Sequence, residues 1–148
     1  MKSNTLSILL GGLLPALLFG LSGVVQKLSA KAGIGTGPFL VIVGLTVAVI
    51  GGLFTAVEQD TAVNRLSGLH AGLFGVLWGV GIAAIAIALG RYDGQISQLV
   101  PLYNMNTLVA VIVGLVVLSE WQSVEPARLL LGAVLTIAGG VVAATSAR

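Results

Sequence analysis

The chain has 148 residues, of which 57% are hydrophobic and 8% charged, and its mean hydropathy is +1.09. A soluble domain with this balance lacks the polar surface to cover its core, and a net charge of +2 on so few charges gives no reason to expect a nucleic-acid partner. With no cysteine, one histidine and five acids, disulfides and thiolate metal sites are excluded, and acid/base or metal catalysis has little to work with. The composition therefore predicts an all-α membrane protein that is not an enzyme and carries neither metal nor cofactor. At ~20 residues per span, its length allows four to six helices in one bundle, a single domain over 1–148.

The first predicted span covers about 6–26 and is interrupted only by small residues and Pro15, which frees a backbone carbonyl and predisposes the helix to kink. The run is too long for the core of a secretory signal, and Ser29 and Lys31 make a poor cleavage site, so it is expected to remain as a span. After the loop AGIGTG and Pro38, a good first helical residue, the second span covers about 39–57, with Thr46 and Thr55 as its hydroxyls. The polar stretch EQDTAVNRLS at 58–67 reads as a loop. The third span, about 68–90, pairs Gly68 with Gly72 and Gly75 with Gly79 at a spacing that lets a neighbouring backbone approach closely. Arg91, Tyr92, Asp93 and Gly94 form a turn, and the fourth span covers about 96–118. Trp121 suits the headgroup level, and Pro126 and Arg128 introduce a fifth span, about 129–146, which reads as peripheral and structural.

Alternation of five spans places Lys2, Arg65 and Arg128 on one side of the membrane and Lys27, Lys31, Arg91 and Arg148 on the other. Orientation follows the Lys/Arg bias near the spans, and this bias is nearly nil. Two readings stand: insertion in both orientations, or a single orientation set by the small excess near Lys27 and Lys31. The acids Glu58, Asp60, Glu120 and Glu125, against Asp93 alone, lean the other way.

The polar content of the spans is concentrated in the fourth, which opens QLVPLYNMNT before a plain apolar run to Leu118. Side-chain amides in hydrocarbon need partners, and such residues usually face the protein interior or a water-filled cavity. At ~100° per residue, Gln95, Gln98, Tyr103 and Asn106 fall within a sector of about 140°, with Thr107 about 40° beyond it. Asn104 lies on another side, nearer Pro101, where it either lines the same cavity or satisfies backbone groups freed by the proline. The alternative for the whole set is that these residues glue helices together. Gln26 and Lys27 at the end of the first span either reach a substrate or lie at the interface, where a lysine commonly snorkels to headgroups. Trp78 is a cavity wall or a packing residue. His70 lies close to the polar second loop and reads as interfacial. Arg91 with Asp93, and Glu120, finish helix ends or act as gates.

The order of these features resembles the EamA-type domain of the drug/metabolite transporter superfamily. The resemblance covers about 6–146 and rests on Lys27 closing the first span, the glycine pattern of the third and Pro101 early in the fourth. Ser119 and Glu120 at the end of the fourth span and Gly132 and Gly139 in the LGAVLTIAGG run of the fifth complete it. It implies one five-span repeat of a ten-helix transporter fold, whose members place a substrate cavity between two inverted repeats and the last helix of each repeat at the periphery. A single repeat supplies half of such a cavity, so the resemblance implies a second copy, with an antiparallel homodimer favoured over a parallel dimer or a partner half-transporter. The substrate-binding residues expected on this reading are Gln26, Trp78, Gln98, Tyr103, Asn104, Asn106 and Thr107. No acid falls clearly inside a span, which separates the chain from carriers built on an intramembrane carboxylate. The expectation is a carrier for a small polar, uncharged or zwitterionic metabolite, embedded in the lipid bilayer of a prokaryotic inner membrane. The alternative is a non-transporting scaffold or accessory subunit.

Overall fold

The computed structural model describes residues 2–146, with side chains from Thr5 onward. Arg148 and the side chain of Lys2, both used in the comparison of the two membrane sides, lie outside the described residues. Every regular element among the described residues is helical: α1 (Lys2–Ile8), α2 (Leu14–Lys31), α3 (Thr36–Glu58), α4 (Arg65–Arg91), α5 (Ile96–Tyr103), α6 (Asn106–Val117) and α7 (Pro126–Ala144). A π-helical segment, Leu9–Leu13, joins α1 to α2, and a 3₁₀ turn, Glu120–Gln122, precedes α7.

Five stretches are long and apolar enough to cross a membrane: Thr5–Lys31, Thr36–Glu58, Arg65–Arg91, Ile96–Val117 and Pro126–Ala144. They match the five sequence-predicted spans to within a few residues. The chain is an all-helical transmembrane protein, and its apolar surface accords with that: Leu89, Leu115 and Ala133 are buried, whereas most large apolar side chains are exposed. In a bilayer such surface is covered by acyl chains or other helices and carries no hydration penalty.

Two compact units divide the chain, one formed by Met1–Gly23 with Gly94–Arg148 and the other by Val24–Asp93. In the first unit, the π-helical segment stands immediately before Pro15, which cannot donate to the Gly11 carbonyl and whose ring crowds it in a straight α-helix. The wider π turn over Leu9–Leu13, closed by the Leu14 N–H on the Leu9 carbonyl, relieves that crowding and supplies the bend that Pro15 predicts. Gly23 meets the Ile96 and Val100 side chains of α5, where an added Cβ would lie 3.4 Å from each.

The fourth span is not one helix. Pro101 removes a donor inside α5, and beyond it the Met105 N–H bonds the Leu102 carbonyl, the Thr107 N–H the Asn104 carbonyl and the Leu108 N–H the Met105 carbonyl. These i to i+3 bonds tighten the backbone at 104–105 and divide the span into α5 and α6. Because Met105 turns to Leu102, the Pro101 carbonyl loses its usual i+4 donor. It lies instead against Gly140 of α7, where a Cβ would sit 2.5 Å from the oxygen. The close approach leaves room for a Cα–H contact with the carbonyl.

Within its unit α7 packs on both α5 and α6 and buries Ala133 and Gly140, whereas α3 in the other unit buries none of its residues. The glycine that meets a neighbour is Gly140; Gly132 and Gly139, the positions that carry the family resemblance, have open space around them.

In the second unit, the end of α2 turns through Gly33, whose φ of +86° is a left-handed conformation suited to glycine, into α3. Asn64 caps α4 reciprocally: the Ser67 N–H donates to Asn64 Oδ1 at 2.9 Å and the Asn64 N–H to Ser67 Oγ at 3.0 Å. Within this unit and among the described residues, Gly72, Gly75 and Gly79 of α4 have open space around them and Gly68 meets Val63 of the preceding loop, so the tight packing their spacing predicts is not made there.

Candidate functional site

The break in the fourth span changes the geometry expected of its polar residues. The single sector computed at ~100° per residue holds from Gln98 to Tyr103, but not across 104–105, where i to i+3 bonding turns the chain by ~120° per residue. Gln95 falls outside α5 altogether, as its extended N-cap residue. Gln98, Tyr103 and Thr107 are half-buried, whereas Asn104 and Asn106 are exposed. Among the described residues, no side-chain hydrogen bond is made by Asn104 or Asn106.

This rules out one expectation for Asn104. Its side chain does not satisfy the carbonyls freed by Pro101; its backbone N–H bonds the Val100 carbonyl and its own carbonyl accepts from Thr107. Within their own unit the two amides join no helices among the described residues. Two unpartnered amides thus stand beside a helix break in an otherwise apolar span.

Gln26 and Trp78 belong to the second unit. Trp78 is 39% exposed on α4, and Gln26 is buried at 8%. The Gln26 amide donates from Nε2 to the Ile82 carbonyl at 3.3 Å. It also borders a depression formed with Ala30, Ile34, Thr36, Phe39 and Ala86 that has room for about one water molecule. Gln26→Leu is expected to lower stability by about 0.5–1.5 kcal/mol, the net value of one neutral hydrogen bond, as read from the thermal midpoint of the purified protein. A drop of several kcal/mol would show that this amide carries a larger network.

Lys27 does not snorkel. It is buried at 9%, and its Nζ donates to Asp93 Oδ1 at 2.9 Å, so the partner of Asp93 is Lys27 and not the neighbouring Arg91. Sequence order concealed this pair because the residues are 66 positions apart. The usable signal was topological, since both end on the same side of the membrane when spans are counted. The pair is asymmetric: the lysine side chain retains 11% exposure and the aspartate 91%.

The hydrogen bond from Lys27, and then its charge, hold the Asp93 carboxyl below its usual value of 3.8. A depressed carboxyl favours the folded state above its unfolded value, and that contribution is lost as pH falls through the lowered one. The stability difference between the unmodified chain and Asp93→Asn is therefore expected to be constant from neutral pH down to about pH 5 and to shrink below about pH 4. Thermal melts of both proteins across this range measure it; a gap that persists undiminished at pH 2 would contradict the pairing.

His70 is exposed on the first turns of α4, and Trp121 is exposed in the turn before α7. Among the described residues, no three His, Cys, Asp or Glu side chains come together as a metal site. No family model, curated protein or solved structure matches this chain.

Proposed function

We propose that this chain is one EamA-like repeat that assembles into a membrane carrier of the drug/metabolite transporter type. In this reading it moves a small polar, uncharged or zwitterionic metabolite, without enzymatic chemistry, across a prokaryotic inner membrane. The observation that carries it is the pair of exposed amides, Asn104 and Asn106, with no side-chain partner among the described residues, beside the α5–α6 break. Amides in a membrane span require hydrogen-bonding partners, and irregular backbone at membrane depth is tolerated where it lines protein or water. A substrate cavity completed by a second, oppositely inserted copy meets both requirements, and rocking of two inverted halves about it would give alternating access.

Gln98, Tyr103 and Thr107, half-buried on the same span, are assigned to the same wall; Gln26 and Trp78 of the second unit are assigned to substrate separately. The test is uptake of a panel of polar metabolites by the purified protein in liposomes, compared with Asn106→Leu. Uptake that the substitution abolishes supports the carrier. A folded assembly that moves nothing, and that Asn106→Leu disperses, supports instead a scaffold or accessory subunit whose amides join it to a partner.

A further inference from the structure

Among the described residues without an ion pair are two charges of opposite sign, Glu120 and Arg91, which lie at opposite ends of the counted spans. Glu120 follows Ser119, whose left-handed conformation (φ +57°) reverses the chain at the end of α6. The reversal lays the Glu120 carboxylate back along α6, so that a Cβ on Gly114 would lie 2.8 Å from Oε2. Gly114 is three residues before the end of α6, so the acid lies about 4–5 Å back from that end. The negative end of the helix dipole is there, which makes the position unfavourable for an anion without a cation beside it.

Arg128, in the same unit, does not serve as that cation, because its Nε donates to Glu125 Oε2 at 2.9 Å. At the other end, Arg91 closes α4 and is exposed. The acid next to it in sequence, Asp93, is taken by Lys27, with Lys31 adding to its field. Among the described residues, neither Glu120 nor Arg91 has a side-chain hydrogen bond or ion pair.

The Glu120 side of the counted spans carries four of the five acids with three bases, Lys2, Arg65 and Arg128, while the other side carries Asp93 with Lys27, Lys31, Arg91 and Arg148. A parallel dimer sets like end against like end. An inverted second copy brings the acid-rich end of one chain to the same membrane face as the base-rich end of its partner, at both faces at once.

We infer that the partner of Glu120 is Arg91 of a second, oppositely inserted copy of this chain, so that two symmetry-related Glu120–Arg91 pairs lock the dimer at the two membrane surfaces. The inference rests on the antiparallel assembly in the proposed function and adds the contact that selects it over a parallel one. Arginine suits the role because its planar guanidinium binds a carboxylate through two parallel hydrogen bonds. Gly114 suits it because any larger side chain displaces the carboxylate from its seat on α6.

The chain has no cysteine, so introduced thiols report without background. Two differently tagged copies, one with Glu120→Cys and one with Arg91→Cys, are co-expressed and oxidised in the membrane. Within a single chain these positions lie on opposite faces of a hydrocarbon layer about 30 Å thick, so a disulfide between the two tags requires inverted neighbours. The expected result is a tag-to-tag disulfide. Disulfides only between two Glu120→Cys copies or two Arg91→Cys copies indicate parallel packing and overturn the pairing; where no disulfide forms, the charge reversals below decide.

Charge reversal guards against a geometry unfit for disulfides. Glu120→Arg and Arg91→Glu are each expected to lower the dimer-to-monomer ratio about tenfold or more, and the double reversal to restore it, because each inverted pair is then rebuilt with opposite signs. A double reversal as weak as the singles overturns the proposal. Uptake is read separately: tag-to-tag disulfides without uptake refute the carrier and leave the pairing standing, whereas uptake with only like-to-like disulfides does the reverse.

Discussion

Gly140→Val is expected to lower stability by roughly 1 to 3 kcal/mol, whereas Gly139→Ala one position earlier should be nearly silent. A Cβ on Gly140 would stand 2.5 Å from the Pro101 carbonyl oxygen and 3.2 Å from its carbon, and both are backbone atoms that cannot rotate away. Relief therefore requires α7 to move off α5, one of the two helices it packs on within its unit. Gly139 faces open space, so its methyl costs no clash and gains helix propensity. Thermal or denaturant unfolding of the three proteins in the same detergent gives the comparison. Equal effects of the two substitutions would mean that the α5–α7 contact does not limit stability.

Asn104→Leu together with Asn106→Leu is expected to leave stability unchanged or raise it by about 1 kcal/mol, while reducing uptake at least about tenfold. No intramolecular hydrogen bond is lost, since neither amide makes one among the described residues, and two polar groups leave a lipid-facing or cavity-facing surface. If the amides instead joined copies of the chain, the same substitution would lower the dimer fraction, and uptake would fall only in proportion. Unfolding of the purified variant, its dimer fraction and its uptake in liposomes are therefore measured on one preparation. Lost uptake in an intact, stable dimer is the outcome that assigns these residues to substrate.

Much of the architecture was legible before any coordinates, because a transmembrane helix is dictated by local composition. Some twenty apolar residues bounded by polar punctuation cannot do much else in a bilayer. The polar loop 58–67, the turn at Asp93–Gly94 and the early prolines of α3 and α7 fell where the chain reverses. Pro15 announced a bend, although its form, a π turn over Leu9–Leu13, depended on how the Gly11–Gly12 backbone relieved the ring. The polar half of the fourth span stood out as anomalous, and so did the individual residues Gln98, Tyr103, Asn104, Asn106 and Thr107.

The arrangement of these residues was less legible. A helical wheel assumes one uninterrupted helix, and the i to i+3 bonds at 104–108 broke that assumption after Pro101. The partner of Lys27 was misplaced for a different reason: snorkelling is the usual outcome for a lysine at a span end, and it is overridden here by a carboxylate delivered from a turn distant in sequence. The glycine spacings of α4 promised contacts that are not made within its unit among the described residues, while Gly140, unremarkable in a glycine-rich tail, meets the backbone of α5.

By itself, then, the sequence determined the solvent of this protein, the number and limits of its spans and which of those spans carries polar side chains, since each follows from short-range hydropathy and turn chemistry. Tertiary structure decided which glycine admits a neighbouring backbone, which acid holds Lys27 and which amides remain without partners. Those outcomes depend on distances between segments far apart along the chain, which no local pattern encodes.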